Sequence, residues 1–150
     1  AGSELALEAS AVTYNWDTDS LFVIGDEGTS LVQVSKTGEL IDSMLLPQGA
    51  GAFEDTEGLA YLGNGEFAVV EERTRTIIKF EYTGGTTLDA AATEEVVLGT
   101  TIGNIGLEGL TVDPFGAGYI LVKEINPQGI FETTLDFANG ADTKSRAAAG

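Results

Sequence analysis

The sequence has no cysteine and no histidine among its 150 residues. The first absence excludes disulfides and thiolate chemistry. The second excludes a Ser-His-Asp triad and zinc sites built on imidazole. Positive charge is also scarce. Seven Lys and Arg stand against 24 Asp and Glu, a net charge of −17. Such a surface repels phosphate backbones and anionic lipid, which removes nucleic acid from the expected partners and favours cations. No apolar run approaches the roughly 18 residues of a membrane span, and no basic-then-apolar leader opens the chain. Helical periodicity is missing too: residues 88–95 allow a helical turn and nothing longer. Three prolines against 20 glycines suit a chain of many tight turns.

What the sequence does have is a repeat. Glu57-Gly58-Leu59-Ala60-Tyr61, followed by Glu66–Glu72, returns as Glu108-Gly109-Leu110-Thr111-Val112 with Gly118–Glu124. It is preceded by Ser10-Ala11-Val12-Thr13-Tyr14 with Leu21–Glu27. Aligning Ser10, Glu57 and Glu108 gives periods of 47 and 51 residues. Repeats of that length, each rich in short strands, mark a β-propeller. The expected fold class is all-β, with about three four-stranded blades over 10–46, 57–99 and 108–137. The third blade shows no fourth strand, and 138–150 reads as a polar tail. Propellers close with four to eight blades, so three make half of a six-bladed ring. Either more chain completes it, or two copies self-associate into the ring. A half alone exposes a wide apolar blade face.

The chemistry-bearing residues are acids at repeated positions. The first two strands of each blade are antiparallel, so the start of one lies beside the end of the other. Glu57 is thereby placed near Glu71 and Glu72, and Glu108 near Glu124. In the first blade Ser10 replaces the inner acid, and Asp26 and Glu27 end the second strand. At 17, 15 and 16 residues from the repeat starts, Glu27, Glu72 and Glu124 read as equivalent positions in the three blades. Carboxylates gathered this way repel unless compensated. A divalent cation with oxygen ligands compensates them, calcium best, with magnesium the smaller and more hydrated alternative. Three other readings stay open: hydrogen bonds to backbone N–H groups of the next blade, ion pairs with Arg73, Arg75 or Lys123, or plain solvation. Lys123 stands in line with Asp26 and Glu71. It either neutralises part of the cluster or, with Arg73, binds an anionic ligand such as a phosphate. Asn15-x-Asp17-x-Asp19 looks like part of a calcium loop. Ser20 and Asp26 stand where an EF-hand needs glycine and glutamate, so an ordinary Asx turn is expected. No residue is marked as a nucleophile or general base.

Several segments resemble one family in order and spacing: Glu8–Asn15, Leu21–Gly28, Glu57–Gly65, Val70–Arg73, Thr100–Asn104, Gly106–Leu110, Val122–Glu124 and Pro127–Phe131. They resemble the SdiA-regulated propeller family over about residues 8–137. The resemblance implies a six-bladed propeller exported from a bacterial cell, hence periplasmic or extracellular. It also implies a calcium-regulated branch, and relatives described as phytase-like or esterase-like. The chain runs to about half the family's length. The expectation is a calcium-associated binding or scaffold module. The alternative is a metal-dependent hydrolase of phosphate esters or lactones, in which a metal-bound water attacks.

Overall fold

A computed structural model describes residues 5–49, 52–98, 106–113, 118–124 and 128–145. The Thr100–Asn104 and Pro127 parts of the resemblance lie outside these residues. The described residues form three antiparallel sheets of four strands, each in chain order. The first holds β1 (Ala9–Asn15), β2 (Ser20–Gly25), β3 (Ser30–Val34) and β4 (Leu40–Leu45). The second holds β5 (Thr56–Gly63), β6 (Glu66–Glu71), β7 (Thr76–Glu81) and β8 (Glu94–Val97). The third holds β9 (Leu107–Val112), β10 (Tyr119–Lys123), β11 (Gly129–Asp136) and β12 (Ala141–Ser145). The opening strands adjoin one another, β1 against β5 and β5 against β9. This is blade architecture, with the inner strands side by side and each meander running outward. The expected helical turn is a single 3-10 turn, Ala90–Ala92, capped by Asp89, whose Oδ1 accepts from Ala91 N at 2.9 Å.

The middle sheet explains the near-continuous apolar runs. Successive side chains of a strand point to opposite faces. Leu59, Tyr61, Phe67, Val69, Ile78 and Phe80 face the first sheet, in a core shared with Phe22, Ile24, Leu31 and Met44. Ala60, Ala68, Val70 and Ile77 face the third sheet, in a second core with Leu98, Leu107, Leu110 and Leu121. A strand buried on both faces has no need of polar alternation. The outer sheets have one free face each. Val12 and Ile41 are 59% and 54% exposed on the first, and Val122 and Ile130 are 43% and 52% exposed on the third. These are the apolar blade faces expected of half a ring.

Two features differ from the sequence reading or add to it. The segment read as a tail carries β12, which pairs with β11 from Glu132↔Ser145 to Asp136↔Ala141. Its turn is built by Asp136, whose Oδ1 accepts from Asn139 N at 3.2 Å, with Gly140 at φ +62°. Ala-Asp-Thr-Lys-Ser has almost no apolar residue, and an outermost strand needs none. The loop after β7 also does more than connect. Leu45 and Thr87 form a parallel bridge, and Leu88 N donates to Leu45 O at 2.8 Å. The second blade thereby covers the outer edge of the first, which would otherwise be an unpaired strand edge.

Asn15 closes the first hairpin. It is 3% exposed, and its Oδ1 accepts from Asp17 N at 2.9 Å and Thr18 N at 3.1 Å. That is the expected Asx turn. Asn15→Ala leaves both donors without this partner, with an expected loss of about 1–2 kcal/mol. Urea unfolding should show a lower midpoint at an unchanged slope.

Candidate metal centre

The three inner strands share one irregularity. Pairing slips between Ala9 and Ala11, between Thr56 and Gly58, and between Leu107 and Gly109. Ser10, Glu57 and Glu108 are therefore the extra residues of three equivalent β-bulges. A bulge frees one side chain from the ladder and re-aims it. Ser10 shows the direction: its Oγ donates across the joint to Thr56 O in the next blade, at 2.6 Å. At the same place Glu57 and Glu108 carry carboxylates.

The residues opposite the bulges are fixed by register. Ala9 pairs with Gly25, Thr56 with Glu71 and Leu107 with Lys123. The structurally equivalent acids are therefore Asp26, Glu72 and Glu124, one step further along. Glu27, aligned with Glu72 and Glu124 by counting, lies one residue beyond this set and is exposed. The count drifts because the β1–β2 turn has four residues between its last pair, Asn15↔Ser20, and the β5–β6 turn has two between Gly63↔Glu66. Lys123 does occupy the place of Glu71, but not that of Asp26.

The second blade gathers the densest group. Asp55, Glu57 and Glu72 each offer a carboxylate oxygen, and the three oxygens lie within 4.8 Å of one another. Asp55 was not among the sequence candidates. It stands in the lead-in to β5, where an acid reads as ordinary loop, and its signal was its place two residues before the bulge. The group is continuous with its neighbours. Burial, then the charges of Glu108, Asp55, Glu72 and Asp26, push the Glu57 carboxyl up to about 7. What burial Glu108 has, then Glu72 and Glu124, raise its carboxyl as well. Burial raises Glu71, which is fully buried.

Part of the set is structural. Glu72 Oε1 accepts from Gly106 N at the lead-in to the third blade, and Glu71 Oε2 accepts from Glu54 N at 3.2 Å. The Glu72 bond is the hydrogen bonding to the next blade that the sequence left as one alternative, and the Glu71 bond ties the second blade to its own lead-in. They do not satisfy every oxygen. Asp26 Oδ1 and Glu71 Oε1 are buried with no hydrogen-bond partner among the described residues. Arg73 approaches from the rim, Nε 3.7 Å from Asp55 Oδ2 and Nη1 4.0 Å from Glu54 Oε2, with its side chain 65% exposed. It offsets little of the charge. Lys123 is 1% exposed and lines a cavity of about 480 Å³ together with Glu108, Glu124, Gln128 and Ile130. A carboxylate-rich site with orphaned acceptors fits a hard cation, which takes six to eight oxygens at about 2.3–2.6 Å when it is calcium.

Three stacked four-stranded sheets with aligned inner strands, bulged toward one acidic patch, define a β-propeller blade set. The chain belongs to the SdiA-regulated family, whose profile matches residues 3–149. Solved propellers agree in fold. Hydrazine synthase of Kuenenia stuttgartiensis superposes with a TM-score of 0.61 at 12% identity, over 95% of this chain and 37% of that one. Virginiamycin B lyase from Staphylococcus aureus gives 0.58 at 12% identity, over 95% and 42%. The β-propeller domain of Cps50 (Swd1) from Myceliophteria thermophila gives 0.58 at 11% identity, over 94% and 39%. The chain thus spans well under half the length of these structures. No helix among the described residues is long and apolar enough to cross a membrane.

Proposed function

We propose that this chain is an exported, calcium-associated binding or scaffold module that works as half of a six-bladed propeller. The observation that carries the proposal is the Asp55, Glu57 and Glu72 oxygens within 4.8 Å of one another at a bulged inner strand. Glu108, Asp26 and Glu124 extend the ligand supply, and Arg73 sets the rim. Asp55, Glu57 and Glu72 of the second blade would hold the ion, and Glu108 of the third blade, whose charge bears on Glu57, would couple its binding to the joint between the two blades. Oxygen ligands, partial burial and a net charge of −17 all favour a hard divalent cation over a soft one. The free apolar faces of the first and third sheets meet further blades, supplied by a second copy or by more of the same protein.

Native mass spectrometry with and without calcium tests the cation and the assembly together. The expected result is a bound calcium on the wild-type chain that is lost from Glu57→Gln and from Glu72→Gln. No bound calcium at millimolar concentration, from a chain that is folded, would sink the cation reading. A hydrolase reading ranks second and rests on Glu57, whose pKa of about 7 suits proton transfer near neutral pH. It requires hydrolysis of a phosphate ester or lactone that Glu57→Gln removes.

A further inference from the structure

Asn-Gly occurs twice in the chain, at Asn64-Gly65 and at Asn139-Gly140. Both asparagines are exposed in hairpin turns, the first between β5 and β6, the second between β11 and β12. In this dipeptide the glycine nitrogen can reach the carbonyl carbon of the asparagine side chain, because no Cβ on the glycine stands in the way.

The two turns hold that nitrogen differently. Gly65 N donates to the Tyr61 hydroxyl at 3.0 Å, and Asn64 N donates to Asp17 Oδ2 at 3.3 Å. Tyr61 is 1% exposed, and its hydroxyl donates in turn to Asp17. Attack by Gly65 N must first break this chain of bonds. Gly140 N makes no hydrogen bond among the described residues. Asn139 is held only through Asp136, its N donating to Oδ1 at 3.2 Å and its Nδ2 to Oδ2 at 2.7 Å. Those two bonds are exposed, compete with water and leave the attacking nitrogen free.

We propose that Asn139 is a site of spontaneous deamidation whose product loosens the outer edge of the third blade, while Tyr61 keeps Asn64 unreactive. Gly140 N loses its proton and bonds to Asn139 Cγ. The Cγ–Nδ2 bond breaks, and the amide nitrogen leaves as ammonia. Water then opens the five-membered imide at one carbonyl or the other, giving aspartate or isoaspartate. Either product lacks the Nδ2 donor and sets a second carboxylate beside Asp136, where like charges repel. Isoaspartate also lengthens the backbone inside the short turn between Asp136 and Ala141. That turn is part of the joint with the second blade. The Phe137 ring lies 6.1 Å from that of Tyr119, and Lys79 Nζ of β7 lies 5.0 Å from its centroid.

The test incubates the folded chain at pH 8 and follows the change from amide to acid by mass spectrometry of tryptic peptides. Asn64 falls in the peptide 37–73, and Asn139 falls in 124–144. Fragmentation separates Asn139 from Asn126, which precedes a proline and has no N–H to attack with. Conversion at Asn139 is expected to split into two products. It should run at least about tenfold faster than at Asn64, the scale of a hydrogen bond that must break first. At pH 5 it should slow, because the attacking nitrogen must lose a proton. In urea the two sites should react alike. Tyr61→Phe should speed Asn64 severalfold and leave Asn139 unchanged. Asn139→Asp, one of the two products, should lower the melting temperature by a few degrees. Equal rates at the two sites in the folded chain overturn the proposal, as does a rate at Asn64 that urea does not raise. An Asn139→Asp chain and an aged, fully converted chain that both melt with the fresh one would overturn the loosening of the blade.

Discussion

Raising the pH from 5 to 8 in a calcium-free buffer should destabilise the folded chain, and calcium at pH 8 should restore more than was lost. The sign follows from Glu57. Its carboxyl ordinarily titrates at 4.5 and is held at about 7 in the fold. Between those values the folded state carries more protons than the unfolded one, so stability falls as pH rises through the window. Glu108 and Glu71 are raised in the same direction and add to the slope. Glu57 is only partly buried, so solvent screening cuts its share to about 1–2 kcal/mol. If calcium binds as proposed, it reverses the sign of the local electrostatics: the deprotonated carboxylates that repel one another would become ligands, and the proton on Glu57 would compete with the metal. At a hundred times its dissociation constant, calcium adds about 2.7 kcal/mol. For a domain of this size that raises the melting temperature by about 5–10 °C. The rise should be large at pH 8 and small at pH 5. Glu57→Gln should flatten the calcium-free pH slope and remove most of the calcium response. Thermal melts at four pH values, with calcium and with chelator, read all of this. A calcium response that survives Glu57→Gln in full would place the cation elsewhere.

Most of the fold was legible because burial on both faces writes itself into the middle strands. Leu21–Gly25 and Phe67–Val70 need no polar alternation, and glycine pairs mark their ends. The third blade's outer strand was illegible for the opposite reason. Ala141–Ser145 carries no apolar periodicity in its sequence, and only the Asn139-Gly140 turn announced it. The site was half legible. The Glu-Gly-Leu repeat located Glu57 and Glu108. It could not show that both are bulge residues, because a bulge is a property of the pairing, not of the strand. The same gap set the alignment of Glu27 one residue off, since turn length is invisible to a count from the repeat start. Asp55 was missed because it stands in a loop.

Gly58→Ala and Gly109→Ala are the same substitution at equivalent places, and they should behave in opposite ways. A Cβ on Gly58 would sit 2.6 Å from Val70 Cγ1, 2.8 Å from Leu110 N and 3.0 Å from the Gly109 carbonyl carbon. Two of these are backbone atoms of the adjoining inner strand, which cannot turn aside as a side chain does. The joint between the second and third blades must open, and the Asp55, Glu57 and Glu72 group opens with it. Overpacking of this kind costs about 3 kcal/mol, a fall of roughly 6–12 °C in melting temperature. Ala11 holds the same place in the first blade, and its methyl packs on the core there. The joint at Gly58 is therefore the tighter of the two. A Cβ on Gly109 meets only Val122, at 3.6 and 3.7 Å, which is ordinary contact. Among the described residues nothing else comes within 4 Å of it, so Gly109→Ala should change the stability of the single chain by less than about 0.5 kcal/mol. The contrast carries information about the ring. If a further blade packs on β9 as β9 packs on β5, Gly109 becomes as confined as Gly58. Gly109→Ala should then leave the melting of the isolated chain unchanged and abolish its assembly, with native mass spectrometry showing monomer where the wild type shows dimer. A Gly109→Ala chain that assembles as well as wild type would mean that the blades do not meet through β9. A Gly58→Ala chain that melts with the wild type would mean that β5 and β9 are not packed as tightly as their backbone positions require.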